Sequence, residues 1–300
     1  MKRIVSISLG SSKRDHRVQW QYRGETFLIE RIGADGDTQK ATALIRELDG
    51  KVDTFGLGGT DLYLYAGKRR YIFSQSAAIA SAARQTPIVD GSGIKNTLER
   101  QTVEYLRCQH GFEFAGKRVL MVCAVDRFGL AEALSAAGCR TVFGDLMFGL
   151  GLPVPIETLT GLARLASMMA PLVTRLPVSL FYPTGDKQTV NNPRFNNYFQ
   201  QADIIAGDWH FIHRYMPREL PGKLVITNTV TTEDEQFLRQ RGVKTLVTTT
   251  PDMGGRSFGT NVLEAVLVAL AGKKPEELKA DDYTALIQEI GLVPSVRDLV

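Results

Sequence analysis

Val119-Leu-Met-Val-Cys-Ala-Val125-Asp126-Arg127-Phe128-Gly129, followed by Leu130 to Gly138 and then Thr141-Val-Phe143-Gly-Asp145, decides the fold. An unbroken apolar run over 119–125 is what a strand buried on both faces requires, because a strand with one wet face alternates instead. Gly129 to Gly138 reads as a helix and 141–143 as the next strand, so the segment is a βαβ unit. The rhythm continues downstream with an amphipathic helix over 157–174 and strands at 178–182, 204–205, 224–226 and 246–247. A final apolar helix is predicted over 261–271. Strands separated by roughly 20 to 40 residues with helical intervals imply right-handed crossovers and a parallel sheet.

Upstream, residues 3–9 read as a strand that ends at Gly10-Ser11-Ser12, and 17–32 as a hairpin. Asp37-Thr38 caps a helix that runs through Leu48 and stops at Gly50. A short strand over 52–55 leads into Gly56-Leu-Gly58-Gly59, and a second hairpin covers 61–73. A small-residue helix (77–84), a strand at 87–89, the loop Asp90-Gly-Ser-Gly-Ile-Lys95 and a helix from Thr97 to about Gln109 close this half. The predicted class is α/β: an N-terminal α/β substrate domain over 1–112, and a C-terminal Rossmann-like parallel-sheet domain over 116–300 that carries the C-terminal helices.

The chain has 300 residues, 44% of them hydrophobic, which is enough for two cores. The net charge of +4 is spread along the chain without a long Lys/Arg block, so no nucleic-acid partner is expected. Cys108, Cys123 and Cys139 are an odd set without Cys-x-x-Cys spacing, which predicts free thiols in a reducing compartment. The N-terminus reads as a strand, and no segment approaches the ~20 apolar residues of a membrane span. A cytoplasmic protein with a small-molecule substrate and no membrane partner is expected, and a homodimer on base rates alone.

Strand, Ala124-Val-Asp126-Arg127-Phe-Gly129, helix is where a dinucleotide-binding domain carries its glycine fingerprint. Only the third glycine is present, and Asp126 places a negative charge where a pyrophosphate would lie. Asp145, 19 residues after Asp126, has the offset of a ribose-binding carboxylate that prefers NAD to NADP. A plain βαβ unit with a polar strand end is the structural alternative.

Three further loops have ligand chemistry. Ser11, Ser12, Lys13 and Arg14 follow the first strand and could wrap an anion, or form a solvated turn. In the glycine loop after the strand at 87–89, Asp90 and Lys95 could exchange protons and Asn96 and Thr97 could bind substrate, or the segment is a flexible loop with Thr97 as a helix cap. Asp61 belongs to the glycine-rich wall of the same possible cleft. Gly254, Gly255, Arg256, Ser257, Thr260 and Asn261 open the last apolar helix, where free N–H groups favour an anion. His210 and His213 share a helical face without a matching third ligand, so no metal site is expected.

Ile-Ser-Leu-Gly-Ser-Ser-Lys-Arg-Asp-His (7–16), Pro-Ile-Val-Asp-Gly-Ser-Gly-Ile-Lys-Asn-Thr-Leu-Glu-Arg (87–100) and Gly-Arg-Ser-Phe-Gly-Thr-Asn (255–261) resemble bacterial proteins labelled quinate 5-dehydrogenase, over most of the length. The resemblance implies a shikimate/quinate-dehydrogenase-like layout, with an N-terminal substrate domain, a C-terminal NAD(P) domain and a Lys/Asp pair handling the alcohol proton. The Ser-x-Ser and Asn-x-Thr-x-Pro-x-Lys motifs of shikimate dehydrogenases are not recognisable. The leading expectation is an NAD- or NADP-dependent oxidoreductase of a small hydroxylated anion. In it Lys95 with Asp90 or Asp61 relays the proton and the 10–16 loop holds the substrate. Asp126, Arg127, Gly129, Asp145 and the 254–261 loop hold the cofactor. Two rivals stand beside it: a transferase or lyase binding a phosphorylated or nucleotide ligand in the interdomain cleft, and a non-catalytic ligand sensor on a dehydrogenase-like scaffold.

Overall fold

The computed structural model describes residues 1–66, 69–177, 190–251 and 258–300. At the centre of the first sheet lies β1 (Lys2–Ser8), parallel to β3 (Glu25–Gly33) on one side and to β4 (Thr54–Gly58) on the other. The hairpin partner β2 (His16–Tyr22) runs antiparallel to β3, and the short β7 (Ile88–Val89) runs parallel to β4. The order is β2-β3-β1-β4-β7. A separate hairpin, β5 (Tyr63–Ala66) and β6 (Arg69–Ile72), precedes the short helix α2 (Ser74–Ala80). Helix α1 (Thr38–Leu48) has the predicted bounds because its signals are local. The Asp37 carboxylate accepts hydrogen bonds from the Gln39 and Lys40 backbone N–H groups.

Helix α3 runs from Ser92 to His110, five residues earlier than the predicted start at Thr97. Asp90 accepts from the Ser92 N–H, and Gly91 adopts φ 94°, so the glycine loop is itself the helix entrance. Lys95, Asn96 and Thr97 are therefore on the helix rather than in a loop. Gly111, in the left-handed region, ends it.

The second sheet has the order β13-β12-β11-β10-β8-β9. Its parallel members are β8 (Arg118–Met121), β9 (Arg140–Phe143), β10 (Ile204–Ala206), β11 (Leu224–Thr227) and β12 (Thr245–Thr248). An antiparallel edge strand, β13 (Ser295–Asp298), pairs with β12 and was not expected from the sequence. Helices α4 (Phe128–Ala136), α5 (Leu159–Val173), α6 (Asn196–Gln201), α7 (Trp209–Tyr215) and α8 (Thr232–Gln240) follow in this half. The molecule is thus α/β with two largely parallel sheets, of which the strand rhythm predicts the second as parallel. The strand expected at 178–182 lies outside the described residues.

One assignment needs correction. The C-terminal helices α9 (Thr260–Ala271) and α10 (Ala280–Glu289) do not cover the second sheet. Val262, Val266 and Leu267 of α9, with Tyr283 and Ile287 of α10, pack into one core with Ile4, Phe27 and Ile29 of the first sheet. The reason is area: one face of the first sheet stays bare without them, and an apolar helix must bury its surface somewhere. The second core, around Val119, Met121, Leu130, Phe143, Ile204 and Ile226, also takes in Val103 and Leu106 of α3.

Candidate functional site

The carboxyl ends of both parallel sheets face one cleft, the place where open α/β sheets bind ligands. A cavity of about 160 Å³ lies there. Ser6 and Ser8 of β1, Gly58 at the end of β4 and Thr60 and Asp61 just beyond it form one wall. Asp126 and Arg127 after β8, Asp208 and His210 after β10, and Asn228 after β11 form the other.

The centre of the cleft is ionic. The Lys95 ammonium donates to Asp61 at 3.1 Å and lies 3.8 Å from Asp126, and all three side chains are nearly buried. Burial alone would lower the lysine's pKa. Asp61 and then Asp126 outweigh it and hold Lys95 above the ordinary lysine range. Asp126 is pushed upward by burial against the pull of Lys95 and Arg127, and its Oδ1 has no hydrogen-bond partner among the described residues. Deeper still, Arg127 donates to Glu99 of α3 at 2.7 Å and to Asp208 at 3.2 Å. Glu99 also accepts from the Leu130 N–H, and Asp208 from the Asn228 amide and the His210 N–H. Burial holds the His210 imidazole down at about 4, against the pull of Asp208, so the ring is neutral at pH 7. Its Nε2 lies 3.1 Å from Arg14 Nη1, and a guanidinium only donates, so Nε2 accepts.

The predicted residues divide. Lys95, Asp61, Asp90, Asp126, Arg127, Arg14, Thr260 and Asn261 line the cavity together. Asp90 has a structural task there as well: its buried carboxylate accepts from the Leu62, Tyr63 and Ser92 N–H groups. Asn261 donates to Ser6 Oγ at 2.7 Å, which ties α9 to β1. Ser11, Ser12 and Lys13 stand outside the cavity lining. The Ser11 carbonyl accepts from Arg31, and the Ser12 N–H donates to Asp35. Thr97 is also outside the lining, and Asn96 accepts from the Gly129 N–H. Gly254, Gly255, Arg256 and Ser257 lie outside the described residues.

The expected cofactor turn is built differently from a dinucleotide site. Asp145 Oδ1 accepts from the Ala124 and Val125 N–H groups at 3.0 and 2.9 Å. The turn's own backbone donors are thus consumed by the carboxylate that was expected to hold a ribose. Gly129 serves the packing of two helices. A Cβ there would stand 2.8 Å from Asn96 Cα, so the glycine lets α4 approach α3.

Arg31, Asp208 and Asn228 belong to the lining and were missed, while His16, the last residue of the 10–16 loop, and His210, weighed only as a metal ligand, line it too. Asp208 and Asn228 follow β10 and β11 at their carboxyl ends, so that positional rule applied to every strand would have found them.

No functionally curated protein matches the chain. Among solved structures, a galactofuranose binding protein is similar at 11% identity and TM-score 0.37, covering 100% of this chain and 95% of its own. A substrate-binding protein of a sugar ABC transport system from Bordetella parapertussis is similar at 15% identity and TM-score 0.36, covering 99% and 89%. A glutamate dehydrogenase from Thermus thermophilus shows 14% identity and TM-score 0.43, covering 97% and 74%. The expectation of an oxidoreductase related to quinate and shikimate dehydrogenases is corrected. The family models that match are of unknown function and neither is a quinate or shikimate dehydrogenase model, and the glycine turn is closed by Asp145. A model described as Domain of unknown function (DUF8753) matches residues 3–90, and one described as Domain of unknown function (DUF8754) matches residues 93–299, so the chain belongs to the DUF8754 family.

Proposed function

We propose that this chain is a non-catalytic binding protein whose cleft takes a small, uncharged, multiply hydroxylated molecule of the class to which sugars belong. The observation that carries this reading is the composition of the cavity wall. Four cationic side chains, Arg14, Arg31, Lys95 and Arg127, are interleaved with four carboxyl groups, Asp61, Asp90, Asp126 and Asp208. Carboxylates only accept and guanidinium or ammonium groups only donate, whereas each hydroxyl does both. A polyol satisfies such a wall without adding a charge to a nearly balanced site. The cavity is smaller than the ~300–1,000 Å³ typical of sites for drug-sized ligands, which supports a compact metabolite.

Lys95 supports the absence of catalysis. A general acid or base works best with its pKa near the operating pH. Lys95 is held above its ordinary value by two carboxylates and keeps its proton, as a fixed donor does.

Calorimetric titration of the purified chain with pentoses and hexoses, small hydroxy acids, NAD and NADP tests this. A neutral sugar should bind one per chain, be recovered unchanged by NMR after prolonged incubation, and lose at least tenfold in affinity in Asp208→Asn. Binding of hydroxy acids or dinucleotides alone, or turnover of the bound sugar, overturns it.

A further inference from the structure

A second cavity, of about 130 Å³, lies on the far side of Asp126 from the polar cleft. Its walls are apolar: Leu64 of β5, Phe73, Leu165 and Met169 of α5, and Phe211 of α7. Two carboxyl groups interrupt them. Asp126 lines this cavity as well as the first, with its side chain 8% exposed and Oδ1 buried without a hydrogen-bond partner among the described residues. Asp145 enters from the end of β9. Its Oδ1 is occupied by the Ala124 and Val125 N–H groups, while its buried Oδ2 has no hydrogen-bond partner among the described residues. Among the described residues, the one other polar side chain on this wall is Cys123, whose thiol faces Asp145 Oδ1 at 3.7 Å.

Buried acceptors without donors cost free energy, and carboxylate oxygens against an apolar surface cost the most. A native fold keeps such groups when a ligand completes them. The missing partner must donate hydrogen bonds and carry positive charge, because two carboxyl groups offer acceptors. The remainder of the ligand must be apolar, because the other walls are Leu, Phe, Met, Ala and Val. We propose that this cavity is a second, separate binding site for a small organic ammonium ion, with its amine between Asp145 and Asp126 and its hydrocarbon body against α5. The proposal is independent of what the polar cleft binds. Asp126 is shared by the two walls, so an amine here and a ligand there would be coupled through one side chain.

Benzylammonium and benzyl alcohol, which share a body and differ in the head, are the probes, applied to the full chain by calorimetry at pH 7.5. Benzylammonium should bind one per chain and at least tenfold more tightly than benzyl alcohol. Asp145→Asn keeps an oxygen for the Ala124 and Val125 N–H groups and should reduce benzylammonium affinity at least tenfold. Met169→Trp, at a half-buried position, fills the cavity without touching that turn and should abolish binding with thermal unfolding unchanged. Arg14→Ala, in the polar cleft, should leave benzylammonium affinity unaltered. Equal binding of the two probes, no binding of either, or full affinity in Met169→Trp would each overturn the site. A failure of sugars to bind the polar cleft would leave these results standing.

Discussion

Arg127 is 4% exposed and has Glu99 on one side and Asp208 on the other, so three charges share a nearly buried site. Burial by itself would lower its pKa, and Glu99, Asp126 and Asp208 together hold it above the ordinary value. Removing one member of such a group leaves the rest as uncompensated buried charge, which costs about 3–5 kcal/mol, far more than an exposed pair is worth. Arg127→Met should therefore destabilise the chain by about 3–5 kcal/mol in urea denaturation at pH 7. Adding Glu99→Gln to it should recover part of the loss, since the stranded carboxylate is gone. A loss below ~1 kcal/mol in the single variant would mean that the cluster is solvated as surface pairs are. None of this was legible in the sequence, where Arg127 read as a member of a phosphate-binding turn and Glu99 as an ordinary helical residue. A charged residue in a chain gives no sign of burial until its partners arrive from 28 and 81 positions away. Lys95 and Asp61 were legible as candidates, because both stand in glycine-rich segments after predicted strands, but the sequence left Asp61 and Asp90 open as partners of Lys95, and the fold brings Asp61 to it.

At the scale of elements, what the sequence displays depends on whether an element's signals are its own. Helix α1 carries its cap and its stop within the segment, and its bounds were readable to the residue. The entrance of α3 is set by tertiary contact. Gly91 holds φ 94°, and a Cβ there would stand 2.6 Å from the Asn261 backbone nitrogen on α9, 170 positions away. The same junction contains Glu264 of α9, which accepts from the Gly91 N–H at 2.7 Å and from the Tyr283 hydroxyl of α10 at 2.9 Å. Burial, reinforced by Asp90, raises the Glu264 carboxyl to about 8. Between pH 4.5 and 8 the folded chain therefore keeps a proton that the unfolded chain has released. Stability should fall as pH rises through that window, by at most ~1.4 kcal/mol per pH unit from this group. Glu264→Gln retains an acceptor and removes the titration, so its stability should vary less with pH between 5 and 8 than that of the parent chain. Equal pH slopes in chemical denaturation would show that Glu264 is ionised in the folded state. Gly129 makes a related case on α4. Gly129→Ala forces its new methyl group against Asn96 Cα and carbonyl oxygen, both at 2.8 Å, and overpacking of this kind typically costs ~1–3 kcal/mol. A Tm equal to that of the parent chain would mean that α3 and α4 separate freely.

On the scale of the whole molecule, α3 determines how the two sheets behave. Its Ile94 and Leu98 belong to the core of the first sheet, and its Val103 and Leu106 to the core of the second. One helix is thus shared by both hydrophobic cores. The polar cleft is bridged from wall to wall by Lys95 with Asp126 and by Arg14 with His210. The chain also crosses back: α9 and α10, late in sequence, cover the sheet made by residues early in it. The division expected near 112–116 marks the end of α3, a point where the direction of the chain changes but the packing does not part. A fragment of residues 1–112 would expose Ile4, Phe27 and Ile29 on the face that α9 and α10 cover, and would leave Glu99 without Arg127. It should therefore lack cooperative thermal unfolding, while the full chain should unfold in one transition that is the same by far-ultraviolet circular dichroism and by Trp fluorescence. The two tryptophans make the comparison sharp, because Trp20 packs with the first core and Trp209 lies in the core on the other side of the second sheet. Two separated transitions, or a 1–112 fragment with a cooperative melt of its own, would show that α3 is a linker between independent domains and not a shared part of their interiors.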